Sequence, residues 1–261
     1  MSDTKISRWL AYELPLNERV RTFMRLEHLF AGAQRYAAGT DPWDNRAALT
    51  ALLEILAILS RGDVRSDALR EMERQAQALS RLRSRPGIDT ARLDNIVQSL
   101  EKVGRRLDAS GAQLGRSLKE NEFLSAVKQR MSIPGGTCSF DLPSLQHWLG
   151  LPAEKRQEQL ARWFGELDAL DRGLRLILML LRESAVPTQE VANGGMFHRT
   201  LDSGMATQLI RVLLPPDSGV FPEISGGRHR FTVRFLEQPD AGERPRQRQE
   251  DVPFQLAICQ I

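Results

Sequence analysis

The stretch GGRHRFTVRF, residues 226–235, decides how the second half of the chain is read. In an extended strand successive side chains point to opposite faces. His229, Phe231, Val233 and Phe235 then share one face, suited to a core. Arg228, Arg230, Thr232 and Arg234 share the other. Three guanidiniums would lie within about 20 Å on one side of a single strand. Like charges so placed repel, so the face is either simply solvated or a docking rail for something acidic.

Outward from this stretch, the chain after Pro187 keeps the same texture. GGMFHRTLDS (194–203), MATQLIRVLLP (205–215), GGRHRFTVRFLE (226–237) and VPFQLAICQI (252–261) are short apolar runs separated by Pro, Gly and Asp, which reads as antiparallel strands. EQPDAGERPRQRQEDVP (237–253) reads as an exposed hairpin loop.

The first half has a different period. PLNERVRTFMRLEHLFAGAQRYAAG (15–39) sets Leu16, Val20, Phe23, Met24 and Phe30 along one stripe at helical spacing, with Pro15 near the start and Gly39 near the end. Residues 41–62, 66–87 and 89–109 repeat the pattern. Pro42 opens the first of these; Ser66 or Asp67 caps the second, which ends before Pro86; Asp89 or Thr90 caps the third. Four such helices predict an up-and-down bundle. Pro134-Gly135-Gly136 is a turn expected to support the β part, TCSF (137–140) looks extended, and further helices run from about 144 to 184. The fold class is α+β: a helical domain over 1–128 and 141–184, and a β domain over 129–140 and 185–261.

Composition bounds the function. The 261 residues carry 36 Lys and Arg against 33 Asp and Glu, a net charge of +3, so an acidic partner must be met by local clustering of charge. The longest apolar run, LILMLL at 176–181, is too short to span a bilayer. Two cysteines, Cys138 and Cys259, and no signal-type N-terminus predict a cytoplasmic protein with reduced thiols. No P-loop, dinucleotide fingerprint or nucleophile elbow occurs. His28, His147, His198 and His229 lack metal-ligand spacing, so no cofactor or metal is expected. His147 is expected to pack, as are Trp43, Trp148 and Trp163. A catalytic Cys138 is the enzymatic alternative.

Helix ends explain many of the arginines. Arg81, Arg83 and Arg85 sit at a helix C-terminus, where the dipole favours cations, and Arg105 and Arg106 are similar. Arg21 and Arg25 share a helix face; Arg61 and Arg65 flank Gly62. The strand arginines have no such explanation. Guanidinium clusters bind carboxylates or phosphates bidentately, so a nucleic-acid-binding adaptor is the rival reading. Balanced charge and the lack of aromatics among the strand arginines argue against it.

Four segments together carry a resemblance: ELPLNERVRTFMRLE (13–27), LSRGDVRSDALREME (59–73), QRMSIPGGTCSFDLPSLQHWL (129–149) and FPEISGGRHRFTVRF (221–235). They resemble the ZapD family of FtsZ-associated division proteins, from about Tyr12 to the C-terminus. The resemblance implies non-enzymatic homodimers with a helical and a β domain. It further implies that they bind the C-terminal tail of FtsZ through a basic groove at the dimer interface and crosslink its filaments at midcell. Carried over by motif, the tail-binding residues are Arg61, Arg230 and Arg234, with Arg25 and Arg228 as further candidates. Glu122 and Gln146 stand where the family leads one to expect basic or imidazole side chains. Residues 1–11 and the loop at 242–250 match nothing in it.

Overall fold

Caps and turn residues set the limits of the elements in this computed structural model, which describes residues 9–83, 87, 89–111, 114–202, 204 and 206–260. In chain order they are β1 (Leu10–Pro15), α1 (Glu18–Ala37), α2 (Pro42–Leu59), α3 (Val64–Ser80), α4 (Thr90–Ala109), α5 (Arg116–Lys119), α6 (Glu122–Met131), α7 (Pro143–Leu149), α8 (Ala153–Gly165), α9 (Asp168–Glu183), β2 (Thr188–Ala192), β3 (Met196–Thr200), β4 (Thr207–Leu214), β5 (Phe221–Gly226), β6 (Arg230–Glu237), β7 (Arg246–Gln247) and β8 (Val252–Gln260). Apart from β1, which precedes the helices, the order is helices then antiparallel strands, the expected α+β class. Two compact units result. One is Thr22–Ile177; the other joins Met1–Arg21 to Leu178–Ile261. The expectations for Arg85, Pro86 and residues 1–8 fall outside the described residues.

In the first unit, α2 begins at Pro42 because Asp41 accepts a hydrogen bond from the Trp43 N–H and the proline occupies a position that needs no donor. Asp63, and neither Ser66 nor Asp67, caps α3, accepting from the Ser66 N–H at 3.1 Å. Asp89 caps α4 as expected. Helices α3 and α4 pair as an antiparallel hairpin, fastened at one end by Arg65 on Asp108 (2.6 Å) and near the other by Arg83 on Asp94 (2.7 Å). Helix α2 packs on α7 and α8, so later helices supply neighbours that a bundle of the first four would have drawn from within.

Four expectations about this unit change. TCSF forms turns, not a strand, and Pro134-Gly135-Gly136 joins α6 to α7 within the helical unit instead of supporting the sheet. The turn needs its glycines. Gly135 has φ +71°, and a Cβ on Gly136 would lie 2.6 Å from the Arg130 carbonyl. Trp148 and Trp163 are buried and stack on each other, with Phe123 stacked on Trp163 and tilted against Trp148, but Trp43 is 71% exposed with the Arg46 guanidinium 4.9 Å over its ring. His147 is exposed and unpacked.

The second unit holds two antiparallel sheets, ordered β1-β4-β8-β2 and β3-β6-β5, with β7 added to β6. The four recognised runs are β3, β4, β6 and β8; β1, β2, β5 and β7 are strands the periodicity does not announce. Both sheets feed one core: Ile210, Val212 and Leu214 from β4, Phe254 and Leu256 from β8, and Phe231, Val233 and Phe235 from β6. Phe254 lies 5.1 Å from Phe235 and 5.2 Å from Phe197, centroid to centroid. On the other face of the first sheet, Glu13 of β1 receives hydrogen bonds from Arg182 (3.0 Å) and Arg211 (2.7 Å). Strand β1 pairs with β4 along its length, with Glu13 opposite Arg211. A carboxylate on an otherwise apolar strand is thereby matched by charge and hydrogen bonding, as burial requires.

A candidate acidic-peptide surface

The quoted stretch is a hairpin and not one strand. Gly226 ends β5, Arg228 and His229 form the turn, and β6 starts at Arg230. The Gly227 N–H donates to the Arg230 carbonyl at 3.0 Å. A Cβ on Gly226 would fall 2.6 Å from that of Phe231, so glycine permits the close reversal. The strand-face expectation is corrected accordingly. Arg228 is a turn residue, and His229 is exposed instead of facing the core. Phe231, Val233 and Phe235 do face inward, and Arg230 and Arg234 do face outward.

Cross-strand register builds the surface around these two arginines. Arg230 is opposite Thr200 of β3; Thr232 is opposite His198 and Ser225; Arg234 is opposite Met196 and Glu223. Opposed residues share a face, so Met196, His198, Thr200, Ser225 and Glu223 surround the arginines. A depression of about 690 Å³ is lined by Met196, His198, Thr200, Ser225, Arg230 and Thr232, among others. Arg234 donates to Glu223 at 2.5 Å. Among the described residues neither Arg228 nor Arg230 has a hydrogen-bond or ion-pair partner for its side chain. Arg199, facing the other way, donates to Glu190 at 2.8 Å. The β3 residues and Glu223 went unnoticed as members of this surface in the sequence; MFHRT has no polar-apolar alternation to mark its outward face.

In the helical unit Arg61 lies just beyond the C-terminus of α2, exposed, beside a depression of about 620 Å³ that Arg65, Arg116, Lys119, Asp63 and Glu120 also line. Most of these charges are engaged. Arg65 holds Asp108 and two carbonyls of the α4 end. Arg116 donates to Glu120 at 2.6 Å, which raises the Arg116 pKa further. Lys119 reaches the Leu59 carbonyl at 3.3 Å. Hydrogen bonds from Ser66 hold the Asp63 carboxyl below the usual range. Arg61 is left without a partner among the described residues. Arg116 and Lys119 were missed in the sequence, since only the fold brings α5 beside the α2 end. Arg25 is exposed on α1, does not line this depression, and has no ion pair among the described residues. Glu122 and Gln146 are also exposed, Glu122 in the first turn of α6, where the dipole favours a carboxylate.

No group of three or more His, Cys, Asp or Glu able to hold a metal occurs among the described residues. Cys138 is half-buried and donates to Asp141 at 3.3 Å. No helix among the described residues is long and apolar enough to cross a membrane.

The fold is that of an α+β protein, and its surfaces carry exposed guanidiniums. Comparison with known proteins makes the class specific. The sequence profile of the family described as ZapD, cell division protein, matches residues 24–234. A cell division protein ZapD of Methylococcus capsulatus is 43% identical over 250 residues, covering 96% of this chain and 98% of the relative. Those of Aromatoleum aromaticum and Ralstonia pickettii are 37% identical over 252 residues (97% and 98% covered) and 39% over 251 (96% and 99%). The chain belongs to the ZapD family of cell division proteins.

Proposed function

We propose that this chain is a non-enzymatic division factor of the cytoplasm that binds the C-terminal tail of FtsZ. As a homodimer with one tail site per protomer, it crosslinks FtsZ filaments at midcell. The observation that carries the reading is the outward face of β6, where among the described residues Arg230 has no partner and Arg234 is held by an exposed carboxylate. Exposed guanidiniums with unused donors suit a carboxylate-bearing peptide. Arg61, without a partner among the described residues, is the corresponding residue of the helical unit, and Arg25 and Arg228 are auxiliary cations. A nucleic acid fits the β6 face less well: the residues opposite its outward positions are Met, His, Thr, Ser and Glu, with no Phe, Tyr or Trp as a stacking platform and with a carboxylate beside Arg234.

A weak site suffices, because two sites on a dimer meeting repeated tails along a polymer gain effective concentration. The test is low-speed pelleting of FtsZ with GTP and the purified protein, using full-length and tail-deleted FtsZ. Bundles are expected only with the tail, and not with the Arg230→Glu, Arg234→Glu variant. Bundling that survives either change in a folded dimer refutes the reading.

A further inference from the structure

One face of the α3–α4 hairpin is packed and another is bare. On the packed side Gln75 donates to the Ile177 carbonyl at 3.3 Å, and a Cβ on Gly173 of α9 would fall 2.9 Å from Met72. On the bare side the two helices part into a groove of about 760 Å³. Its apolar lining is Leu69, Met72 and Ala76 from α3 and Val97, Leu100 and Gly104 from α4. Arg70, Arg81 and Arg105 rim it against Glu73, Glu101 and Asp108. Its charge is therefore balanced, unlike the arginine-bearing surfaces at Arg61 and β6. Gly104 is the unexpected residue, since glycine weakens the interior of a helix. A Cβ there would meet nothing within 4 Å, so no neighbour in the chain requires the glycine. Close approach of a second backbone would require it.

The rim charges select the occupant. Glu101 and Arg105 are exposed on α4 and loosely paired at 3.8 Å. Consider two α4 helices packed antiparallel about a twofold axis at the level of Val103. Glu101 of each copy then faces Arg105 of the other, and the pairing occurs twice, because a twofold contact presents the same patch from both sides. Gly104 falls next to the axis, where the backbones come nearest. We propose that a second copy of this chain occupies the groove, α4 against α4, each helix covering the apolar lining of the other hairpin. The contact is additional to the homodimer of the functional reading, whose interface is expected to be basic, and joins one dimer to the next. It rests on that reading for the dimer and not for the FtsZ tail. A weak contact suffices, because dimers held along filaments meet at high effective concentration.

Sedimentation velocity of the purified full-length chain over a range of concentrations tests this without FtsZ. Species larger than the dimer are expected to grow with concentration. Glu101→Arg turns two attractive pairs into two repulsive ones and is expected to weaken that step about 10-fold, as is Arg105→Glu. The double variant Glu101→Arg, Arg105→Glu restores opposite charges across the axis and within the helix, and is expected to associate as wild type does. Gly104→Gln strengthens the helix, since glutamine is the better helix former, and is expected to abolish the larger species by holding the backbones apart; circular dichroism checks the fold. A wild-type dimer that forms nothing larger, or larger species indifferent to the charge reversals and to Gly104→Gln, overturns the proposal. Variants that fall to monomer make the groove the dimer contact itself and overturn the second contact. A wild type that stays monomeric overturns the functional reading as well.

Discussion

Glu223 holds Arg234 where an incoming acidic peptide would want it, so removing that carboxylate should tighten binding. The two residues face each other across β5 and β6, 2.5 Å apart, with side chains 55% and 47% exposed. An exposed pair of this kind is worth about 0.2–1 kcal/mol, and a ligand that recruits Arg234 must forgo that amount. Glu223→Gln therefore gains roughly 1.4- to 5-fold in affinity from the released guanidinium. Loss of a negative charge within a Debye length, about 8 Å at physiological salt, adds a further gain of the same sign. The expected total is about 2- to 10-fold at low salt, shrinking as salt rises. Anisotropy of a labelled tail peptide at two salt concentrations measures it. Glu243→Gln, an exposed change of equal charge in the loop at 242–250, serves as the control and is expected to stay near wild type. If Glu223→Gln binds no more tightly than Glu243→Gln, Arg234 is not a ligand contact and the surface is wrongly drawn.

Two further outcomes test the scaffold. Arg156 is buried with no carboxylate on it among the described residues: it donates to Asn45 Oδ1 (2.6 Å) and to the Thr40 (2.6 Å), Leu149 (3.1 Å) and Leu151 carbonyls. Arg156→Met would orphan these acceptors and cost about 3–5 kcal/mol in chemical denaturation, with Arg156→Lys restoring part; a loss below about 1 kcal/mol would show that water reaches the site. Burial pushes the Cys259 thiol from 9.0 up to about 11. Because the folded state holds its proton more tightly, its contribution is intact below pH 9 and is lost as pH rises toward 11, by roughly 2–3 kcal/mol in all. The alkaline fall in stability should thus be shallower in Cys259→Ala than in wild type, and native Cys259 should resist alkylation near neutral pH; matching pH profiles would remove the burial argument.

Local signals were legible wherever the chain supplies its own partner. The helix starts at Pro42 and Asp89, the Pro134-Gly135-Gly136 turn and the inward set Phe231, Val233 and Phe235 depend on neighbours within a few residues, and periodicity reports them. The α+β order follows from the change of period. The candidate site was only half legible. Arg230 and Arg234 could be placed on one face, but Arg228 was drawn into the strand because alternation alone does not say where Gly226 and Gly227 reverse the chain.

What the tertiary structure decided is what depends on residues far apart in sequence. Leu10–Pro15 becomes a strand because β4, some 200 residues on, offers it an edge and Arg211 offers Glu13 a charge. Trp43 stays outside because α7 and α8 take the other faces of α2. Arg234 is tied and Arg230 free because the β5–β6 register puts Glu223 opposite one and no carboxylate opposite the other. By itself the sequence determined most of the helices, the four apolar strands and the types of residue that could meet an acidic partner. Which arginines remain available was settled by register, since a one-residue slip would have moved every side chain to the opposite face.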